Sequence, residues 1–432
     1  MRTDGFELLR QLYQDHLDLR AVREERIGSL SGADGVARNS VEAGHERRLV
    51  TIFGEVQVRR LAYRRKGSIN LYAADATLNL PVESYSHGLR GLAGTEAARG
   101  SFQEAAAAIG RASAATIGKR QVEALAQAAA VDFNAFFAQM TRPEPSEGEV
   151  VVLSADGKGV VMRPEGLGPA TRAKAQSSQN KLKGRLSKGE KTNRKRMAEV
   201  GAVYTVTPVA RNARDVMAHR SGGPPKQAPT ATNKWVTASV MSDAASVIAS
   251  VFEEAERRDP DHNHTWVALV DGNRHQIDRI EIEAAARGVE VTVIIDWVHV
   301  LEYIWSAAWS FFAEGDPAAQ DWVHDKAIDV LSGRACIVAA AIRRKATTRK
   351  LDQSTRKNAD TCADYLLAKA SYLDYPTALT KGWPIATGII EGACRYLVKD
   401  RMDITGARWG LQGAEAVLKL QALRANNCWN DY

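Results

Sequence analysis

Apolar positions fall along this chain in two rhythms, and the change between them marks its main division. Phe6, Leu8, Leu9, Leu12, Leu17, Leu19 and Val22 recur at helical spacing and predict an amphipathic helix over residues 5–28; the glycine-bearing stretch 29–39 reads as a loop. Leu49–Phe53 and Val56–Tyr63 then form two short runs around Gly54-Glu55, and glycine at the first turn position predicts a two-residue II′ hairpin. Ser101-Phe102-Gln103-Glu104 is a capping box that opens a helix to about Ala112, with a second helix predicted over 113–127. Pro143-Glu144-Pro145-Ser146-Glu147-Gly148 reads as a linker, closing a mostly helical N-terminal region, 1–142, that carries one β-hairpin.

From Glu149 onward, alternation gives way to unbroken apolar runs. Val150-Val151-Val152-Leu153 predicts a strand buried on both faces, with Asp156 at its exit beside Gly157 and Gly159. The device recurs twice, in Thr265–Val270 followed by Asp271-Gly272, and in Val291–Ile295 followed by Asp296. A short return strand at 160–162, a strand at Val200–Val206, and helices near Ala244–Arg257 and Gln276–Arg287 complete an α/β pattern: a mixed five-stranded sheet covered by helices. A Gly/Pro-rich stretch, 221–229, interrupts it. After Asp296 the chain turns helical, at Val298–Phe312, Asp321–Ala341 and Ala359–Tyr372, and reads as a helical insertion over 301–383 between a core of 149–300 and a last part, 384–432. In that last part Ile390, Cys394, Leu397 and Val398 mark a buried helix face, which leaves Glu391, Arg395 and Lys399 in an adjacent row.

Charge sharpens the picture more than composition does. The 432 residues are enough for two to four domains at ~100–200 residues each, and 45% apolar content is that of a globular chain. Four cysteines without a C-x-x-C pair indicate neither a zinc ribbon nor a disulfide framework. No basic-apolar leader opens the chain and no apolar run approaches ~18 residues, so the expectation is a soluble, cytoplasmic protein with no membrane partner. The formal net charge is +7, yet residues 171–198 alone hold ten basic side chains and one acid. Such concentration suits a polyanion, because neutralised phosphates release counterions, while a solvated loop is the plain alternative. Arg59 and Arg60 on the hairpin, and Lys119 and Arg120 at the head of the second helix, offer further cations. A charged outer face is the commoner use of the first pair, and a plain helical hairpin the commoner use of the second; a helix-turn-helix would instead lay the second helix in a major groove.

Cleaving a phosphodiester with paired divalent ions needs several converging carboxylates, and oxygen donors suit Mg²⁺. Asp156, Asp271 and Glu391, 115 and 120 residues apart, offer such a set, although acids at strand ends are often only helix caps. Four spaced segments carry a resemblance: Ala155–Met162, Val270-Asp271-Gly272, Asp296–Trp305 and Gly388–Arg395, followed by Lys399–Met402 and Gly406–Gly410. Together they resemble the RNase H-like catalytic core of DDE transposases of bacterial insertion sequences, most of all the ISKra group, a relative of the ISL and Mutator-like groups.

The resemblance implies that Asp156, Asp271 and Glu391 hold two Mg²⁺ (or Mn²⁺) ions, with Asp296 as an alternative ligand, and that the helical insertion precedes the glutamate helix. It implies double-stranded DNA as partner, both terminal inverted repeats and target, a homodimer or higher oligomer, and a nucleoid-associated place in a bacterial cytoplasm. His299, Arg395 and Lys399 near the cut, Arg59, Arg60, Lys119 and Arg120 at the repeats, and Lys181, Lys183, Arg185, Arg194, Lys195 and Arg196 along the backbone are the expected DNA contacts. The resemblance would also bring a cysteine-bearing segment after the hairpin, where Arg64-Arg65-Lys66-Gly67-Ser68 stands instead. An RNase H-like nuclease without strand transfer, or a transposase-derived DNA-binding protein that no longer cuts, are the rival expectations.

Overall fold

A computed structural model describes residues 2–177, 194–218, 227–404 and 406–432. The chain forms two compact units, 1–134 and 135–432, so the division falls inside the helix Phe133–Gln139 rather than in the Pro/Glu linker that follows it.

In the first unit a helix, Arg2–Val22, lies on a long hairpin of β3 (Ser40–Thr51) and β4 (Gly54–Arg64), after a small ribbon of β1 (Leu30–Ser31) and β2 (Ala37–Arg38). Leu17 of the helix closes a small core with Leu49, Val56 and Val58. The Gln14 amide fastens the contact, donating to the Gln57 carbonyl at 2.9 Å and accepting from the Gln57 N–H at 2.8 Å. The hairpin turns at Ile52-Phe53, two residues before the expected place, because Thr51 pairs with Gly54 and its hydroxyl spans the corner, donating to the Gly54 carbonyl and accepting from Phe53 N–H. A short helix, Ala73–Thr77, and three longer ones follow, His87–Arg99, Phe102–Ala112 and Lys119–Ala129. The Ser101/Glu104 capping box is formed as the sequence predicts. The next helix starts at Lys119 instead of Ser113, because the Ser113 hydroxyl donates back to the Ile109 carbonyl at 2.8 Å and ends the earlier helix.

The second unit is a mixed α/β layer structure on one five-stranded sheet, in the order β7 (Ala231–Ser239), β6 (Lys195–Val206), β5 (Val150–Val161), β8 (Thr265–Val270), β9 (Val291–Ile295). β5 is antiparallel to β6 and parallel to β8, and β8 is parallel to β9. Two expectations change here. The return strand at 160–162 is the far end of β5 itself, since Gly157 and Gly159 stay paired with Glu199 and Met197 of β6. The fifth strand is β7, whose exposed Thr232-Asn233-Lys234 start hides its apolar second half from a pattern search.

On one face of the sheet lies the helix Ala244–Arg258, approaching so closely that a Cβ on Gly201 would stand 2.6 Å from Val251 Cγ2. The other face, with Val150, Val152, Val267, Leu269 and Ile294, packs into a large core shared with Trp297–Ala308, Pro317–Leu331, Ala335–Thr348, Gln353–Ala368 and Tyr375–Thr380. The helical insertion is therefore the second covering layer of the sheet. At the β7 edge the Asn426 amide, just past the helix Leu411–Ala425, pairs with Val236 N–H and C=O at 2.8 Å each, and so blocks strand addition there. Trp409 is buried and its indole N–H donates to the Met402 carbonyl, an anchor rather than an exposed stacking platform. Among the described residues no helix is long and apolar enough to cross a membrane.

Candidate functional site

Strand register brings the first two carboxylates together. The last residues paired between β5 and β8 are Ser154 and Leu269, also tied by the Ser154 hydroxyl donating to the Leu269 carbonyl at 2.8 Å. Asp156 and Asp271 each lie two residues beyond that pair; Asp156, still inside β5, is on the parity of Val152 and thus on the face that meets the insertion helices, while Asp271 opens the turn after β8. β8 stops there while β5 runs on, so Asp156 sits inside a strand, not at its exit, and beside the gap that β8 leaves.

Asp156 keeps much of its hydrogen-bonding capacity: one oxygen accepts from Gly157 N–H at 2.6 Å, and the other lies 3.3 Å from the Cys394 thiol. Asp271 is half-buried and accepts from Asn273 N–H at 2.7 Å. Its loop is held from the insertion, where the Tyr365 hydroxyl donates to the Asp271 carbonyl at 3.0 Å and the ring stacks on Tyr303 at 3.9 Å. Gly272 adopts φ +90°, and a Cβ there would stand 2.7 Å from the Tyr365 oxygen, so this turn requires glycine.

Asp296, the alternative ligand, is used otherwise. It is fully buried; one oxygen caps the helix Trp297–Ala308 by accepting from Val298 N–H at 2.6 Å, and the other accepts from both the Thr387 N–H and its hydroxyl. Thr387 stands at the head of the helix Gly388–Ala393, which carries Glu391. Trp297 N–H also donates to the Ile385 carbonyl at 2.7 Å, so the tip of β9 fastens the glutamate segment to the sheet.

Glu391 is exposed at the side chain, and burial together with Asp296, Glu302 and Asp156 holds its carboxyl above the usual range, with His299 opposing. The α-helix gives way after Ala393 to a π-helix, Cys394–Lys399, a local overwidening often found where a helix positions functional groups. It places the buried Cys394 against Asp156, and burial and that carboxylate push the thiol well up. Glu199, opposite Gly157 on β6, is a further carboxylate nearby: burial, then Asp156 and Asp243, raise its pKa, while His275 lowers it. The sequence marks Cys394 only as a buried helix position and gives no signal for Glu199, Tyr365 or Thr387, because each acts through a neighbour that only the fold supplies.

Oxygen donors at Asp156 and Asp271, in register and partly open, fit a hard divalent cation that completes its shell with water and phosphate. Among the described residues, however, no three His, Cys, Asp or Glu side chains are gathered as a ready-made metal site; Glu391 feels the charge of Asp156 without closing into a cluster with it.

The expected DNA contacts fare unequally. Lys119 and Arg120 are exposed on the first turn of their helix. Arg59 is exposed and paired with Glu46 at 2.9 Å. Arg60 is turned inward, bonded to Asp75 with its guanidinium 3.7 Å over the Tyr72 ring. Arg196 spans the Val240 and Gly166 carbonyls at 2.5 and 3.3 Å, whereas Lys195 is exposed and Arg194 half-buried. Lys181, Lys183 and Arg185 lie outside the described residues. His299 is half-exposed, 3.6 Å from Glu302. Arg395 and Lys399 are exposed, Arg395 lying 3.7 Å from Asp400. No protein-family model matches the chain, and no curated protein matches it.

Proposed function

We propose that the protein is a metal-dependent DNA transposase with an RNase H-like core, cutting the ends of a bacterial insertion sequence and joining them to target DNA. The observation that carries this reading is the in-register juxtaposition of Asp156 and Asp271, with the Glu391 helix tied to the same sheet edge through Asp296 and Thr387. The sheet gives support: in chain order its strands lie third, second, first, fourth, fifth, and only the second runs against the others.

In this reading Asp156 and Asp271 hold divalent metal from the sheet side and Glu391 from the helix side. Bound there, such ions lower the pKa of an attacking water or 3′-OH and stabilise the leaving oxygen. Asp296 keeps the glutamate helix at the sheet edge, Tyr365 keeps the Asp271 turn, and Arg395 and Lys399 meet phosphates beside Glu391. Lys119 and Arg120, at the N-terminus of the second helix of a short-linked pair, would read the terminal repeats.

A second reading, a DNA-binding relative that no longer cuts, draws on the absence of a gathered carboxylate trio among the described residues. One experiment separates them: Mg²⁺-dependent cleavage and joining of a duplex carrying the terminal sequence of the proposed element, for wild type, Asp156→Asn and Glu391→Gln. Cutting and joining by wild type alone supports the transposase, cutting without joining the nuclease, and specific binding without cutting the relic.

A further inference from the structure

The helix Arg2–Val22 is apolar on two opposite sides. Leu17, 2% exposed, faces the hairpin core, while Leu8, Leu12, Leu19 and Val22 are 58, 57, 54 and 85% exposed on the far side. Their positions, with Asp15, advance by four, three, four and three residues, the spacing of a coiled-coil seam: Leu12 and Leu19 at a, Leu8, Asp15 and Val22 at d. The seam runs from Leu8 to Val22, two heptads of the 21-residue helix. The helix cannot turn this seam inward, because Leu17 and the Gln14 amide bind its other side to the hairpin.

We propose that a second copy of this chain docks along that seam, as a parallel two-helix pair. The flanking charges select the occupant and its direction. In a parallel pair each g position meets the following e position of the partner, and this sets Asp18 against the second copy's Arg23, and Gln11 against His16. Asp18 is 41% exposed, and its contacts with the Gln14 amide at 3.1 Å and Arg59 at 3.8 Å both fall on Oδ1, which leaves Oδ2 for that pairing. An antiparallel pair would instead face the g row, Asp4, Gln11 and Asp18, with its own copy, acid beside acid. Asp15 then meets Asp15 in the seam, a repulsion that keeps the dimer weak and fixes its register. This inference does not depend on the proposed activity.

Sedimentation velocity of the full chain over a concentration series tests it. A reversible dimer is expected. Leu12→Glu with Leu19→Glu should raise its dissociation constant at least about 100-fold, since each leucine withdrawn from water contributes roughly tenfold or more. Asp15→Leu should tighten it by about tenfold or more, by removing the repulsion and adding apolar contact. Both sites are exposed, so unchanged far-UV circular dichroism is expected and controls for folding. In a Cys336→Ser background, Leu12→Cys should form an intermolecular disulfide under mild oxidation, as equivalent residues of a parallel pair adjoin. A monomer at all concentrations would overturn the proposal and leave the seam to a helix of another protein. A dimer indifferent to both variants would overturn it too, and one lacking the Leu12→Cys cross-link would refute the parallel arrangement.

Discussion

The tips of β8 and β9 stand side by side in the sheet, each closing an apolar strand on an aspartate, and their carboxylates have opposite employments. Asp296 is fully buried and accepts from Val298 N–H and from both donors of Thr387. Asp271, one strand nearer the centre, is half-buried, accepts from Asn273 N–H, and faces the edge where β5 carries Asp156 onward. The difference is one of position. β9 lies at the sheet edge where the Ile385–Thr387 segment arrives with backbone donors to satisfy, whereas β8 lies between β9 and a longer β5. A strand-end carboxylate is thus a joint or a ligand according to what meets it.

Exchanging the carboxylates tests this contrast most sharply. Under the proposed function, Asp156→Asn or Asp271→Asn should lower Mg²⁺-dependent DNA cleavage on the order of 10²–10³-fold or more while leaving the urea midpoint nearly unchanged. Loss of fold in either variant would count against the division of labour drawn above. Asp296→Ala should do the reverse in stability, costing about 2–4 kcal/mol because buried Thr387 and Val298 donors lose their acceptor, as read from urea unfolding. A midpoint like that of wild type would return Asp296 to the ligand candidates.

Gly272→Ala is the intermediate case. It forces a side chain into φ +90° against Tyr365, and should cost about 1–3 kcal/mol and also displace Asp271. Tyr365→Phe in the same background should recover part of the stability loss, since it removes the colliding oxygen, but not the Asp271 position, whose carbonyl loses its donor.

The smallest effect concerns Glu391 and pH. Because its carboxyl is raised in the fold, the folded protein holds that proton longer than the unfolded chain does. The contribution to stability is present at low pH and is lost as pH rises from the ordinary glutamate range through the raised value. Glu391→Gln and wild type should therefore have matching urea midpoints below that range, and the variant should be the more stable above it. An equal difference at both pH values would contradict the assigned electrostatics.

Much of the framework was legible in residue order. The runs before Asp271 and Asp296 became β8 and β9, and the Ser101/Glu104 box opened its helix, because in both cases the signal is local: contiguous burial, or a cap three residues from its partner. β5 was legible only in its first half, since pairing to β6 carried it through two glycines that read locally as an end. β7 was missed because half of it faces solvent. Of the cations, Arg60 and Arg196 look in sequence like their neighbours, and only their encounter with Asp75 and Tyr72, or with the Gly166 and Val240 carbonyls, turned them inward.

The sequence by itself determined which segments are strands at the site, that three of them lead to carboxylates, and that a helix late in the chain would carry a fourth. Those are properties of short stretches, set by hydrophobic run length and spacing. The tertiary structure alone decided which carboxylates remain open. That depends on what donors from segments about ninety residues away meet: Thr387 occupies the Asp296 carboxylate, whereas Tyr365 takes only the Asp271 main-chain carbonyl. Register did the rest, since parallel pairing of Ser154 with Leu269 brings Asp156 and Asp271, each two residues on, to the same end of neighbouring strands.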